Sequence, residues 1–255
     1  MIFPNPGSQI SPYSYASDED IALKAPADFP QLVPRSQVLA RGQDGSIGAG
    51  QPWLLASPSI DFQAFGVSVG CVLMLVSTRT PGPKTELYPP GPGELFAVDS
   101  VAPGICNLRR IGQAAGVGQP PMPGQSADAL PFVVATLGPQ IARASRAFDR
   151  RFGVCDLIAG RRHADLFDPS ELTDAVVLQV LIDSYNAGSR DSGTTPSASN
   201  AYVAGDSWRV KALACQQELD DLIARVSVNW VPILGGGGLV KGDQPTSRFF
   251  MRLER

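Results

Sequence analysis

Short apolar segments rich in β-branched and aromatic residues dominate the chain between residues 51 and 112. PWLLAS, VGCVLMLVSTRT, ELFAVDSV and ICNLRRI each fit a strand, and Ala102-Pro103-Gly104 predicts a hairpin turn between the last two. The intervening TPGPKTELYPPGPG holds five prolines and cannot enter the interior of a sheet. We therefore expect a small β domain at 51–112, either a small open barrel or a sandwich, with one projecting loop.

The hydrophobic period changes to that of a helix after residue 130. Leu137, Ile141, Ala144 and Phe148 recur at spacings of three and four residues, which predicts an amphipathic helix of about four turns. A helical-bundle domain at 131–230 follows from this helix and from two further helices.

Two start signals predict those further helices. Asp168-Pro169-Ser170-Glu171 indicates a helix over about 169–186, whose middle, AVVLQVLI, is apolar on nearly every face. Asp206 is expected to cap a last helix, after a polar loop at 187–200. The last helix has one apolar stripe, formed by Trp208, Ala212, Cys215, Leu219, Leu222, Ile223 and Val226. Lys211, on its opposite side, is expected to face solvent.

Three segments lack either period. Residues 1–50 contain six prolines and predict an extended N-terminal arm, and 113–130 is expected to be a Gly/Pro linker. Residues 231–255, with four consecutive glycines, predict a flexible tail. The predicted fold class is therefore α+β, with an N-terminal β domain followed by a helical C-terminal domain.

Composition and charge exclude several classes of protein. The chain has 44% hydrophobic and 18% charged residues, as globular proteins do, and its net charge of -3 provides no overall basic field for nucleic acid. The N-terminus lacks a basic region followed by an apolar run, and no window approaches the ~18 apolar residues of a membrane span. We expect a soluble protein that is made in the cytoplasm and has no membrane partner.

Cysteine and histidine offer little chemistry. Cys71, Cys106, Cys155 and Cys215 form no CxxC pair, which indicates buried apolar residues in a reducing compartment and no metal or redox site. Cys155 with His163 is kept as a hydrolase alternative, but neither neighbourhood has a nucleophile signature, so His163 is expected to be an exposed loop residue. We predict no cofactor and no enzymatic activity.

Other motifs also have simpler interpretations. Lys241 follows the glycine run 235–238 but lacks the spacing of a phosphate-binding loop. The acidic runs Asp18-Glu19-Asp20, in the predicted arm, and Asp220-Asp221, on a solvated helix face, are expected to have unshifted pKa values. None of these motifs predicts a catalytic site.

The most concentrated charge is a group of six arginines: Arg143, Arg146, Arg150, Arg151, Arg161 and Arg162. They fit solvated faces with local ion pairs to Asp149 and Asp156, pairing across a subunit interface, or the lining of a DNA channel. Phe249 and Phe250, beyond the glycine run, are candidates for docking into a neighbouring protein. These eight residues form the predicted interface.

The C-terminal half resembles the helical connector proteins of Mu-like phages and prophages, over about residues 137–250. That family's pattern is an Arg-Phe-Gly followed by Asp-Leu-Ile, two packed helices and a glycine-bearing tail. The matching segments here are Arg151-Phe152-Gly153, Asp156-Leu157-Ile158, Leu181-Ile182-Asp183-Ser184-Tyr185, Leu213-Ala214-Cys215 and GGGGLVKGDQPTSRFF. The N-terminal half and the long Ser/Thr loop have no counterpart in the family.

The resemblance implies a structural head-to-tail connector in the virion neck, assembled in the host cytoplasm. Its expected partners are identical subunits in a closed ring of about 12, a portal protein, a tail or stopper protein, and DNA passing through the channel. The alternative is a sugar- or receptor-binding virion module that uses the β domain; exposed aromatic rings in a groove there would favour it.

Overall fold

A closed barrel of six antiparallel strands forms the β part of the chain. The structure, a computed structural model, describes residues 14–75, 94–113, 126–154, 163, 166, 169–191 and 199–225, without the side chains of 190, 191 and 199–205. Within these ranges the strands are β1 (Val38–Gly48), β2 (Gln51–Ala56), β3 (Val72–Leu75), β4 (Glu94–Ala102), β5 (Ile105–Arg110) and β6 (Ala127–Ala135). Their order is β1-β2-β5-β4-β3-β6, and β6 pairs back with β1.

The four predicted strands are confirmed as β2, β3, β4 and β5, and the barrel is the form that they take. The predicted hairpin joins β4 to β5, with Gly104 at φ +68° in its turn, a conformation that glycine adopts without strain. The proline-rich loop lies outside the described residues.

β1 and β6 close the barrel where the sequence predicts part of an arm and part of a linker. Phe132 of β6 lies fully buried against β1. A Cβ at Gly42 would be 2.5 Å from the Phe132 ring, and one at Gly45 would be 2.8 Å from the Leu130 carbonyl oxygen. The glycines that weaken the strand pattern of β1 are therefore what lets the backbone pass this ring.

Two helices precede the barrel: α1 (Asp18–Lys24) and α2 (Phe29–Leu32). Ser17 caps α1, since its hydroxyl accepts from the Asp20 N–H while the Asp20 carboxylate accepts from the Ser17 N–H. Ile21 and Phe29 are fully buried. Residues 14–50 therefore differ from the extended arm that the sequence predicts, because Ile21, Phe29 and Leu32 are buried in the core.

One side of the barrel is covered by helices. Leu73 and Val134 point into the barrel, whereas Val72 and Val133, their neighbours on β3 and β6, belong to the core shared with the helices. This alternation follows from the two-residue period of a strand. Residues 127–135 are thus a strand between two cores, and the predicted boundary between a linker and a helical domain at 130/131 falls inside it.

Three longer helices complete the described chain: α3 (Gly138–Phe152), α4 (Ser170–Asp191) and α5 (Ser199–Arg225), with α4 packed against both α3 and α5. The predicted loop at 187–200 is shorter than expected, since α4 continues to Asp191 and α5 begins at Ser199. Asp206 therefore lies within α5 and does not cap it, and Asp168 lies outside the described residues. None of the helices in the described ranges is long and apolar enough to span a bilayer.

Burial of α1 predicts unequal effects of two substitutions in the same helix. Ile21→Ala should lower the free energy of unfolding by about 2 to 5 kcal/mol, because Ile21 is fully buried. Leu23→Ala, at a side chain that is 57% exposed, is the matched control and should change it by about 0.5 kcal/mol or less. Denaturant unfolding followed by circular dichroism measures both, and equal effects would contradict the packing of α1.

Candidate interface

α3 presents a row of arginines on the side that faces away from the core. Ile141, Ala144 and Phe148 are buried, as the predicted stripe requires, whereas the arginines between them are exposed. We call the exposed set the arginine ridge: Arg143, Arg146, Arg150 and Arg151. The helix ends at Gly153, whose left-handed backbone (φ +70°) donates its N–H to the Asp149 carbonyl oxygen.

The arginine ridge has no ion pair with another residue of the described ranges. The expected partner Asp149 instead accepts a hydrogen bond of 2.6 Å from the Tyr15 hydroxyl, and His163 Nε2 lies 3.0 Å from the same carboxylate oxygen. The other expected partner, Asp156, lies outside the described residues. The ridge is therefore a concentrated positive charge that the described part of the subunit leaves uncompensated.

His163 is not the exposed loop residue that the sequence predicts. Its side chain is only 16% exposed, and its ring lies 5.6 Å from that of Tyr15, centroid to centroid. Tyr15 is held in turn through its backbone: its N–H donates to Ser145 Oγ of α3, and its carbonyl accepts from the Thr173 hydroxyl of α4. This segment fixes α3 relative to α4.

The start of α3 is fixed by a buried carboxylate. Asp18, 4% exposed, accepts the N–H of Leu137 at 2.6 Å, directly before α3 begins. Burial raises the pKa of Asp18 to about 7, against the opposing effect of hydrogen bonds from the Leu137 N–H and the Thr136 hydroxyl. The expectation of an unshifted pKa in Asp18-Glu19-Asp20 is therefore wrong for Asp18.

Further polar contacts join α1 and α2 to the rest of the fold. Glu19 pairs with Arg109 of β5, which also contacts Asp99 of β4. Asp28 accepts hydrogen bonds from the Tyr185 hydroxyl at 2.8 Å and from Lys211 Nζ at 2.7 Å. Lys211, predicted to face solvent, is thus half-buried in an ion pair at the junction of α4 and α5.

The two cysteines of the barrel lie in its core. Cys71 and Cys106 are buried as expected, and burial raises both thiol pKa values, that of Cys106 to about 12, so both stay protonated near neutral pH. Across these ranges no group of three or more His, Cys, Asp or Glu could hold a metal ion. Cys155 lies outside them. A cavity of about 340 Å³ beside Asp18 contains two carboxylates in its lining, Asp18 and Asp20, and both already have hydrogen-bond partners.

Four of the eight predicted interface residues are described, and these four form the arginine ridge. Arg161, Arg162, Phe249 and Phe250 lie outside the described residues. Comparison of the chain with family models, curated proteins and solved structures found no match. Sequence reasoning missed Asp18, although Ser17-x-x-Asp20 before Ile21 is a helix start signal that could have placed it on α1.

Asp18 predicts a specific dependence of stability on pH. Its pKa rises from the ordinary 3.8 to about 7 on folding, so the stability that protonated Asp18 contributes is fully present below pH 3.8 and is lost as the pH rises through 7. Asp18→Asn avoids this loss. The free energy of unfolding of the variant minus that of the wild type should therefore become more positive, by up to about 4 kcal/mol, as the pH rises from about 4 to about 8.

Denaturant unfolding across this pH range measures the effect. Asp128→Asn, at an exposed carboxylate on β6, is the matched control and should follow the wild type. A difference in the free energy of unfolding between Asp18→Asn and the wild type that does not change with pH would contradict the burial of the Asp18 carboxyl.

Proposed function

We propose that this chain is a structural protein of a tailed-phage virion, a head-to-tail connector that assembles into an oligomeric ring between portal and tail. The observation that carries the proposal is the arginine ridge, which is exposed and has no ion pair within the described subunit. Guanidinium groups in such a row suit pairing with carboxylates or phosphates of another molecule. The helix that bears them is anchored at its start through Asp18 and near its end through Asp149.

The positions of the family-like segments in the fold support the same proposal. Arg151-Phe152-Gly153 is the end of α3, where Gly153 supplies the left-handed residue that stops the helix. Leu181–Tyr185 lies in α4 and Leu213–Cys215 in α5, and these two helices pack extensively against each other. Three of the five family-like segments therefore lie in helices of the fold or at a helix end, whereas Asp156-Leu157-Ile158 and the glycine-bearing tail lie outside the described residues.

The mechanics of a connector explain the remaining features. A ring subunit must keep its contact surfaces at fixed angles, because a small change of angle at each contact prevents closure. Here the barrel shares one apolar core with the helices. α1 adds ion pairs to both, through Glu19 to Arg109 of β5 and through Lys24 to Glu218 of α5. In this proposal the barrel is the rigid body and α3 carries the contact.

Binding to the portal tests this function. The full-length chain, mixed with the purified portal ring of the same phage and imaged by electron microscopy, should add a closed layer coaxial with the portal. The variant Arg143→Glu/Arg146→Glu/Arg150→Glu should form the layer poorly, whereas Arg41→Glu, at an exposed barrel arginine, should form it normally. A chain that binds neither portal nor tail proteins would contradict the proposal.

Phe65 gives limited support to the alternative of a sugar- or receptor-binding module. It lies in the connection between β2 and β3, and its side chain is 46% exposed. Stacking of an aromatic ring on a sugar is a common mode of carbohydrate recognition. Retention on a glycan array that Phe65→Ser abolishes, with no association with the portal, would favour this alternative.

A further inference from the structure

We infer that the arginine ridge of one subunit binds the outward side of α5 on a second copy of this chain. The inference deepens the proposed connector function and rests on it, because it names the surfaces that join neighbouring subunits in the ring. Each subunit uses two different surfaces, α3 and α5, and in the proposed ring each surface meets a different neighbour, which makes the assembly head-to-tail.

The outward side of α5 carries charge of the opposite sign. The predicted stripe is confirmed for Trp208, Ala212, Cys215, Leu219, Leu222 and Ile223, which pack inward, whereas Val226 lies outside the described residues. On the opposite side of the helix lies a set that we call the acidic face: Asp206, Val210, Leu213, Asp220 and Asp221. All five are exposed. Arg209 and Arg225 lie at the edges of this face, so the charges along its middle are carboxylates.

The acidic face also contains apolar surface that no described residue covers. Val210 and Leu213 are 66% and 69% exposed, unusually high for large apolar side chains on adjacent turns of one helix. The arginine ridge suits such a surface, because arginine stems are apolar while their guanidinium groups reach carboxylates at the rim. Ala147, exposed within the ridge, leaves room for a neighbouring side chain.

The dimensions and the position of the two surfaces are compatible with simultaneous use. At the rise of an α-helix, Arg143 and Arg150 are about 10 Å apart and Asp206 and Asp220 about 21 Å apart, so the acidic face is long enough to accept the ridge. α3 and α5 each bury their opposite side, and both pack against α4. One subunit can therefore offer its ridge to one neighbour and its acidic face to another.

Charge favours a second copy of the chain over DNA as the partner of the ridge. The chain has a net charge of -3 and a pI near 5.2, so the whole molecule does not attract a polyanion. A polyanion would also leave Val210 and Leu213 uncovered. A second copy supplies both the carboxylates and the apolar contact.

Charge reversal on each surface, followed by mixing, tests the contact. The first variant is Arg143→Glu/Arg146→Glu/Arg150→Glu, and the second is Asp220→Lys/Asp221→Lys. Each alone has two surfaces of the same sign, so its self-association, measured by sedimentation velocity, should be weaker by roughly 100-fold or more. An equimolar mixture has opposite charges at both contacts: the native ridge of the second variant meets the native acidic face of the first, and the glutamates of the first meet the lysines of the second. The mixture should therefore recover assembly with alternating copies of the two variants.

Two control variants distinguish loss of the proposed contact from general effects of the substitutions. Arg41→Glu/Asp128→Lys reverses two exposed charges on the barrel and should assemble like the wild type. Should the glutamates destabilise α3, as circular dichroism would show, Arg143→Gln/Arg146→Gln/Arg150→Gln removes the charge without reversing it and should still weaken assembly. Wild-type association should also weaken as salt rises from about 0.05 M to about 0.5 M.

Several outcomes would overturn the inference. These are a wild-type chain that stays monomeric at every concentration, reversals that leave assembly unchanged, and a mixture that does not recover assembly. Loss of DNA retention in the first variant with unchanged self-association would assign the ridge to DNA. Portal-bound rings that tolerate both reversals would refute this contact and leave the connector function standing. Recovered assembly in the mixture without portal or tail binding would refute the connector function alone.

Discussion

The buried carboxylate of Asp18 is the contact on which the arrangement of the whole fold depends. It lies at the first turn of α1 and accepts the N–H of Leu137, where the last barrel strand ends and α3 begins. A buried carboxyl without a cation beside it is costly, so hydrogen bonds from the Leu137 N–H and the Thr136 hydroxyl are needed to offset the loss of water. The position of α3, and with it the direction of the arginine ridge, follows from this contact.

The same segment explains why barrel and helices form one unit. On one side α1 reaches the β4–β5 hairpin through Glu19 and Arg109, and after it Asp28 reaches Tyr185 and Lys211. Between these polar contacts Ile21 and Phe29 are fully buried in the core shared with α4 and with β3 and β6. Residues within the segment that the sequence predicts to be an extended, proline-rich arm thus hold the fold together.

Local patterns were sufficient to predict much of the fold. α3 and the inward side of α5 follow from a helical period within a single segment, and β2 to β5 from short runs of β-forming residues. β1 and β6 were missed because Gly42, Gly45 and Pro131 oppose strand formation locally, and only pairing between distant strands overcomes this.

The candidate interface, too, could be predicted only in part from local sequence patterns. The exposure of the ridge arginines follows from the helical period of α3. The burial of Asp18 depends on its contact with Leu137, 119 positions later in the chain. The inward position of His163 depends on Asp149, whose carboxylate turns away from the ridge. No pattern within one segment contains that information.

The most direct measurement of the central claim is a cryo-electron microscopy map of the neck of the virion that contains this chain. The connector function predicts a closed ring of this protein between portal and tail, in which α3 of each copy faces α5 of the next. A map that shows the chain elsewhere in the particle, or a neck without it, would contradict the connector function.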